Sequence, residues 1–180
     1  MQFITRVASP ETAKADCVAV GVYAGGELTA AAQRVDQASK GALRAALKSG
    51  DVTGKAGSTV VLRGVAGVAA ARVMLVGLGK KADFKTKTYL DAVRAAVKQA
   101  GAGVKTLVLA ADDWTLPDVD LRQQARLLVS AARETVFRSD ELKSKKDDPA
   151  VSVQTVTLLL PHRDAGAERG VLEGMALAHG

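Results

Sequence analysis

The chain has 180 residues and a mass of 18.6 kDa, a length that fits one domain, or one domain with a tail. Hydrophobic residues make up 48% and charged residues 24%, which excludes a disordered chain, and because aromatic residues are only 3%, Val, Leu and Ala must build the core. A net charge of +6 and an isoelectric point near 9.6 exclude an acidic tail protein, although a basic balance alone does not establish a nucleic-acid partner.

The first half of the chain begins with strands and continues with short helices. The apolar run at 17–22 ends in a glycine turn at 23–26, and Gly50 closes the second helix. The run at 72–76 is predicted to stop at the glycines of residues 77–79. In chain order, the pattern predicts strands over 2–7 and 17–22, helices over 30–38 and 43–47, and strands over 58–62 and 72–76.

The second half contains the longest helices. Residues 86–100 carry an apolar stripe at helical spacing, and Thr88 with Asp91 resembles a capping box. The continuous apolar run at 104–110 is typical of a central strand that is covered on both faces. The remaining prediction is a second long helix that follows Pro117 and runs to about Phe137, a polar loop over 143–149, a strand over 151–160, and a last helix capped by Asp164.

Strands and helices therefore alternate, and the longest helices follow strands. This order predicts an α/β fold, a three-layer α/β/α domain with a mixed sheet.

The single cysteine, Cys17, excludes an intramolecular disulfide and a cysteine-based zinc site. Because it lies in an apolar run, we expect it to be a buried small hydrophobic residue. The two histidines, His162 and His179, are far from Cys17 in sequence, and no His-x-x-x-His spacing occurs. No secretory leader or membrane-spanning stretch is predicted, so we expect a cytoplasmic protein without a membrane partner.

Motifs that resemble active sites do not fit the chemistry they would have to perform. The strand and glycine turn over 73–80 lack the first glycine and the final Ser or Thr of a phosphate-binding P-loop, and Ala82 replaces the third glycine of a dinucleotide fingerprint. Asp112 and Asp113 are expected to complement helix dipoles and solvate the surface. The chain alone therefore predicts no catalytic residue and no metal ligand.

Basic residues are concentrated in one part of the chain. Residues 34–98 contain thirteen Lys and Arg against four Asp and Glu, a net +9, and the remainder carries −3. This charge is either a solvated face or a surface that contacts phosphates. Scarce aromatics argue against base stacking, so duplex DNA is the expected nucleic acid. The candidate contacts are Lys80, Lys81, Lys85, Lys87, Arg94, Lys98, Arg122, Arg126 and Arg133.

Several stretches, taken in order, resemble the N-terminal domain of bacterial leucyl aminopeptidases, the cytosol aminopeptidase family. They lie at residues 43–51, 54–57, 72–80, 134–140 with 143–146, and 173–180. The resemblance implies a macro-domain-like fold over residues 1–162. It also implies that residues 163–180 begin the helix that connects to a catalytic domain absent from this chain.

The same resemblance implies an activity for the full-length protein. It would be a metalloenzyme, an aminopeptidase that releases N-terminal amino acids, preferably Leu, from peptides with a free amino terminus, using two divalent metals such as manganese or zinc. This chain holds none of the family's catalytic or metal-binding motifs, so it should be inactive and needs no cofactor of its own. The full-length form would be a homohexamer.

Three alternatives to a purely supporting role stay open. Some bacterial members of the family bind DNA in recombination or transcriptional control, so the chain could be a DNA-binding module. A macro-type fold could hold an ADP-ribose-like ligand, with a phosphate at residues 77–79. The chain could also be a complete interaction protein.

Overall fold

A computed structural model describes residues 1–141 and 151–177. The predicted polar loop at 143–149 and the end of the predicted last helix lie outside these ranges. The strands are β1 (Gln2–Val7), β2 (Cys17–Tyr23), β3 (Thr59–Arg63), β4 (Arg72–Gly79), β5 (Thr106–Leu109) and β6 (Thr155–Leu160). The helices are α1 (Ala30–Ala38), α2 (Ala42–Lys48), α3 (Thr86–Gln99), α4 (Leu121–Glu141) and α5 (Ala165–Leu177).

The six strands form one sheet in the order β1-β6-β5-β2-β4-β3. All neighbours pair in parallel except β3, which runs antiparallel to β4 at one edge. The predicted mixed sheet is therefore confirmed. Strand β2 lies between β4 and β5, where both of its faces are covered, and every one of its residues is buried.

Helices cover both faces of this sheet. On one face, α3, α4 and α5 pack against strand residues such as Met74, Leu107 and Val156. On the other face, α1, α2 and the loops before β2 and β4 cover residues such as Val20 and Leu75. The structure thus confirms the predicted three-layer α/β/α arrangement, which arises because alternate residues of each parallel strand face opposite helical layers.

The helix boundaries correct two predictions and confirm one. Helix α3 begins at Thr86 after Lys85, which makes no side-chain cap, so Thr88 lies inside the helix and the predicted capping box is wrong. Helix α4 begins at Leu121, where the Asp120 carboxylate accepts the Gln123 N–H at 2.8 Å, but it continues to Glu141, beyond the predicted end near Phe137. Asp164 caps α5 as predicted, since its carboxylate accepts the Ala167 N–H at 2.8 Å.

Three strands differ in length from their predictions by three or more residues. Strand β4 continues through Gly79, because it stays paired with β2 as far as Tyr23 and donates hydrogen bonds to the loop 54–58. Strands β5 and β6 are shorter than the apolar runs that predicted them, and begin at Thr106 and Thr155. An apolar run marks burial, and burial extends beyond the residues that pair in the sheet.

Cys17 is fully buried at the start of β2, as predicted, and burial raises the pKa of its thiol to about 11. Within the two described ranges, no helix has the length and apolar character needed to cross a membrane.

Candidate functional site

The basic residues predicted to contact DNA lie on α3, on the loop before it, and on α4. Lys80, Lys81 and Lys85 lie between the end of β4 and the start of α3, and Lys87 lies in the first turn of that helix. Lys98 lies in its last turn, about 16 Å farther along the axis.

Two of the nine candidates are held by acidic residues near α3. The Lys81 ammonium is 3.1 Å from a carboxylate oxygen of Glu27 and 5.6 Å from the centre of the Tyr23 ring. Arg94 is half-buried and contacts Asp91 at 3.3 Å on its own helix and Glu134 at 3.1 Å on α4. The sequence predicted that Arg94 would project freely from α3. Instead, Arg94 links α3 to α4 through these ion pairs.

Two further candidates converge on one carboxylate of α5. Arg122 and Arg126, both on α4, contact Glu173, the latter at 3.6 Å, and Arg169 of α5 reaches the same group at 3.6 Å. The hydrogen bond from Arg122, supported by the neighbouring positive charges, holds the pKa of Glu173 below its usual value. These arginines thus neutralise a carboxylate at the α4–α5 contact.

Within residues 1–141 and 151–177, the remaining five candidates make no ion pair and no side-chain hydrogen bond: Lys80, Lys85, Lys87, Lys98 and Arg133. Four of them belong to α3 and its approach, and all four are exposed. We call these four residues, Lys80, Lys85, Lys87 and Lys98, the α3 lysine surface. They are the part of the predicted interface whose positive charge is available to a polyanion.

The glycines at 77–79 do not form an open turn. The Gly77 N–H donates to the Ser58 carbonyl at 2.7 Å, and the Gly79 N–H donates to the Gly54 carbonyl at 2.9 Å. An added Cβ at Gly77 would overlap the Lys55 carbonyl, so the loop lies directly against the strand. The backbone donors that an ADP-ribose phosphate would need at these two glycines are therefore already hydrogen-bonded.

A cleft of about 400 Å³ opens at the carboxyl ends of β1, β5 and β6. Asp112 and Asp113 line it beside the start of α1, where an Asp113 carboxylate oxygen accepts the Ala31 N–H at 2.9 Å. Burial raises the pKa of Asp112 to about 6, and the charge of Asp113 adds to this effect. The expectation that these carboxylates complement helix dipoles is thus confirmed for Asp113 at the start of α1, whereas the expectation that they solvate the surface is wrong for Asp112, which is partly buried in the cleft. The sequence did contain a signal that these carboxylates line a cleft, which is their position just after a buried parallel strand. The carboxyl ends of such strands meet at one edge of the sheet, where clefts form.

The described ranges contain no group of three or more His, Cys, Asp or Glu side chains that could hold a metal ion. These residues therefore offer no set of ligands for the two divalent metals that the resemblance implies for the longer protein.

Comparison with known proteins identifies the family. Residues 19–146 match the model of the cytosol aminopeptidase family, N-terminal domain. The chain is 37% identical over 185 residues to a probable cytosol aminopeptidase from Chromobacterium violaceum, with 100% of this chain and 35% of that protein covered.

Two solved structures share the fold. A tomato leucine aminopeptidase mutant matches with a TM-score of 0.74 at 16% identity, covering 99% of this chain and 36% of the other. The macro domain of ganglioside induced differentiation associated protein 2 matches with a TM-score of 0.69 at 9% identity, covering 95% and 82%. The predicted macro-like architecture is therefore confirmed.

The chain spans little more than a third of the length of the curated relatives it matches. The family model nevertheless covers well over half of the chain itself. The chain therefore belongs to the cytosol aminopeptidase family, as its N-terminal domain.

Proposed function

We propose that this chain is the non-catalytic N-terminal domain of a leucyl aminopeptidase. The observation that carries the proposal is the match of residues 19–146 to the family's N-terminal domain, within relatives of which the chain covers 35–38%. The longer protein would be a cytoplasmic homohexamer that removes N-terminal residues, preferably Leu, from peptides by two-metal hydrolysis with manganese or zinc.

We further propose that residues 1–162 are the domain proper and that 163–180 begin the connection to the catalytic part. Helix α5, which contains most of that connection, packs along α4 through Gly170 and Gly174. The connecting helix would then also complete the α3–α5 layer, so that its orientation is fixed by the N-terminal domain.

The activity test compares this chain with its longer form. Purified residues 1–180 and the longer gene product are assayed on a leucyl anilide, with and without added manganese. We expect metal-dependent hydrolysis from the longer protein alone. Hydrolysis by residues 1–180 would contradict the non-catalytic role, and an inactive longer protein would contradict the peptidase assignment.

The α3 lysine surface supports a second function, which is binding to duplex DNA. Lys80, Lys85 and Lys87 are exposed, carry no ion partner among the described residues, and lie within one loop and one helical turn. Neutralising phosphates there would release counterions, so the affinity should fall steeply as salt increases.

A charge-matched pair of triple variants tests this function. Lys80→Glu, Lys85→Glu and Lys87→Glu are combined in one protein. The second protein combines Lys14→Glu, Lys40→Glu and Lys48→Glu. These lysines lie in the loop before β2, between α1 and α2, and at the end of α2, on the face of the sheet opposite α3. Gel shifts with the longer protein should show at least tenfold weaker binding for the first variant alone, with a smaller salt slope. Equal loss in both variants, or no binding by the parent at low salt, would exclude this surface.

A further inference from the structure

An apolar groove lies between the C-terminal halves of α4 and α5. It has a volume of about 480 Å³, and Met1, Phe137, Gly174 and Leu177 contribute to its walls. Phe137 is 64% exposed and Leu177 is 67% exposed. Apolar side chains so open to water, lying together in a concave surface, are typical of a site that another surface covers.

Phe137 is unusual within this chain. The chain has three phenylalanines, and Phe3 and Phe84 are buried in the core. Charged residues also line the groove, including Arg126, Arg133 and Glu134. Exposed aromatic residues and arginines are both enriched in protein–protein contacts, so this lining is suited to binding another polypeptide.

The neighbourhood of the groove indicates which polypeptide would cover it. The relatives extend far beyond the region that this chain matches, and the matched region is their N-terminal domain. Helix α5 runs along the groove, and Leu177, its last residue, forms part of the wall. A polypeptide that continues from α5 therefore begins beside the groove, and this tether gives it a high effective concentration there.

We propose that the groove is the docking surface for the polypeptide that follows α5 in the longer protein. That polypeptide would place an apolar side chain against Phe137 and Leu177 and so fix the N-terminal domain relative to the rest of the protein. The proposal rests on the proposed function in one respect, the existence of the longer chain, and does not require that chain to be catalytically active.

Cysteine labelling measures the coverage of the groove directly. Phe137→Cys is introduced into residues 1–180 and into the longer protein, and Leu172→Cys is the matched control. Leu172 is 66% exposed on α5 but does not line the groove. Native Cys17 is fully buried, so it should contribute little background, and any cysteines of the longer protein are first replaced by serine.

We expect both cysteines to react with a maleimide at similar rates in residues 1–180. In the longer protein, labelling at position 137 should slow at least tenfold while labelling at 172 is unchanged. Equal rates at position 137 in the two proteins would overturn the proposal. Protection that grows with the concentration of residues 1–180, or that is lost when the longer protein is diluted to a monomer, would also overturn it, because the occupant would then be a second copy.

A peptidase assay on the same longer protein separates this proposal from the proposed function. Protection at 137 in a protein without peptidase activity supports the docking surface and contradicts only the aminopeptidase function. Full activity without protection overturns only the docking surface.

Discussion

Gly54 lets a loop pass against the end of β2. Its backbone has a φ of +78°, and an added Cβ would overlap the carbonyl of Tyr23. Gly57 has the same φ of +78° but nothing within 4 Å of an added Cβ. The two positions therefore carry the same cost of a left-handed backbone and differ only in steric contact.

Substitution of these two glycines by alanine should separate the two costs. Gly57→Ala should lower the free energy of unfolding by about 1–2 kcal/mol, the cost of a left-handed non-glycine residue. Gly54→Ala should lower it by about 1–3 kcal/mol more, because the loop must move away from β2. Urea unfolding monitored by circular dichroism measures both. Equal losses of unfolding free energy in the two variants would mean that the loop containing Gly54 moves away from β2 at no energetic cost.

The raised pKa of Asp112, about 6 against an ordinary 3.8, makes the stability of the domain depend on pH. Between these values the unfolded chain releases the proton that the folded chain retains, so stability falls as the pH rises toward 6. Asp112→Asn removes this penalty and should unfold at a higher urea concentration at pH 7.5.

The advantage of Asp112→Asn should shrink as the pH falls from 6 toward 3.8. Urea midpoints at several pH values measure this trend. An advantage that stays constant across the range would show that the carboxylate is not penalised by burial. Asp83→Asn is the control, since Asp83 is exposed and makes no ion pair among the described residues.

At the level of elements, the contact between α4 and α5 depends on small residues and on one carboxylate. Gly170 and Gly174 of α5 allow the two helices to approach closely. An added Cβ at Gly170 would overlap the Arg122 carbonyl, and one at Gly174 would lie 2.8 Å from the Val129 Cβ. Glu173, on the same helix, binds arginines of α4. Close packing thus fixes the helices, and the ion pairs add a contribution that depends on pH and salt.

Glu173→Gln should therefore lower the urea midpoint at pH 7 and low salt. The pKa of Glu173 is lowered on folding, so its contribution is complete above its unfolded value of 4.5 and is lost as the pH falls below that value. The difference between parent and variant should shrink at low pH and in high salt, because salt screens exposed ion pairs. A difference that is unchanged in high salt would assign the effect to packing.

The elements were predictable where the signal is local. The stripe of Tyr89, Val93 and Val97 marks α3 because helical spacing repeats within a few residues. The partners of the basic residues were not predictable, since Lys81, Arg94 and Arg122 meet acidic groups 54, 40 and 51 residues away in the chain. Sequence spacing gives the charge of a helix face but not the carboxylates that the fold brings against it.

The whole molecule is organised around a sheet that two apolar clusters share. One cluster lies under α3–α5 and contains Trp114, the only tryptophan, which is fully buried with its ring centre 6.3 Å from that of Tyr89. The other lies under α1 and α2 and contains Val35 and Leu43. Neither helical layer can keep its apolar face buried without the sheet, so both faces should unfold together.

Val35→Ala tests this coupling. Removing two buried methyl groups under α1 should lower the free energy of unfolding by about 2 kcal/mol. If the sheet couples the faces, Trp114 fluorescence, which reports the α3–α5 side, and circular dichroism, which reports all helices, should shift to the same lower urea midpoint. Val7→Ala, at an exposed position, should shift neither. A circular dichroism step that precedes an unchanged fluorescence transition would instead mean that α1 and α2 unfold from the sheet independently.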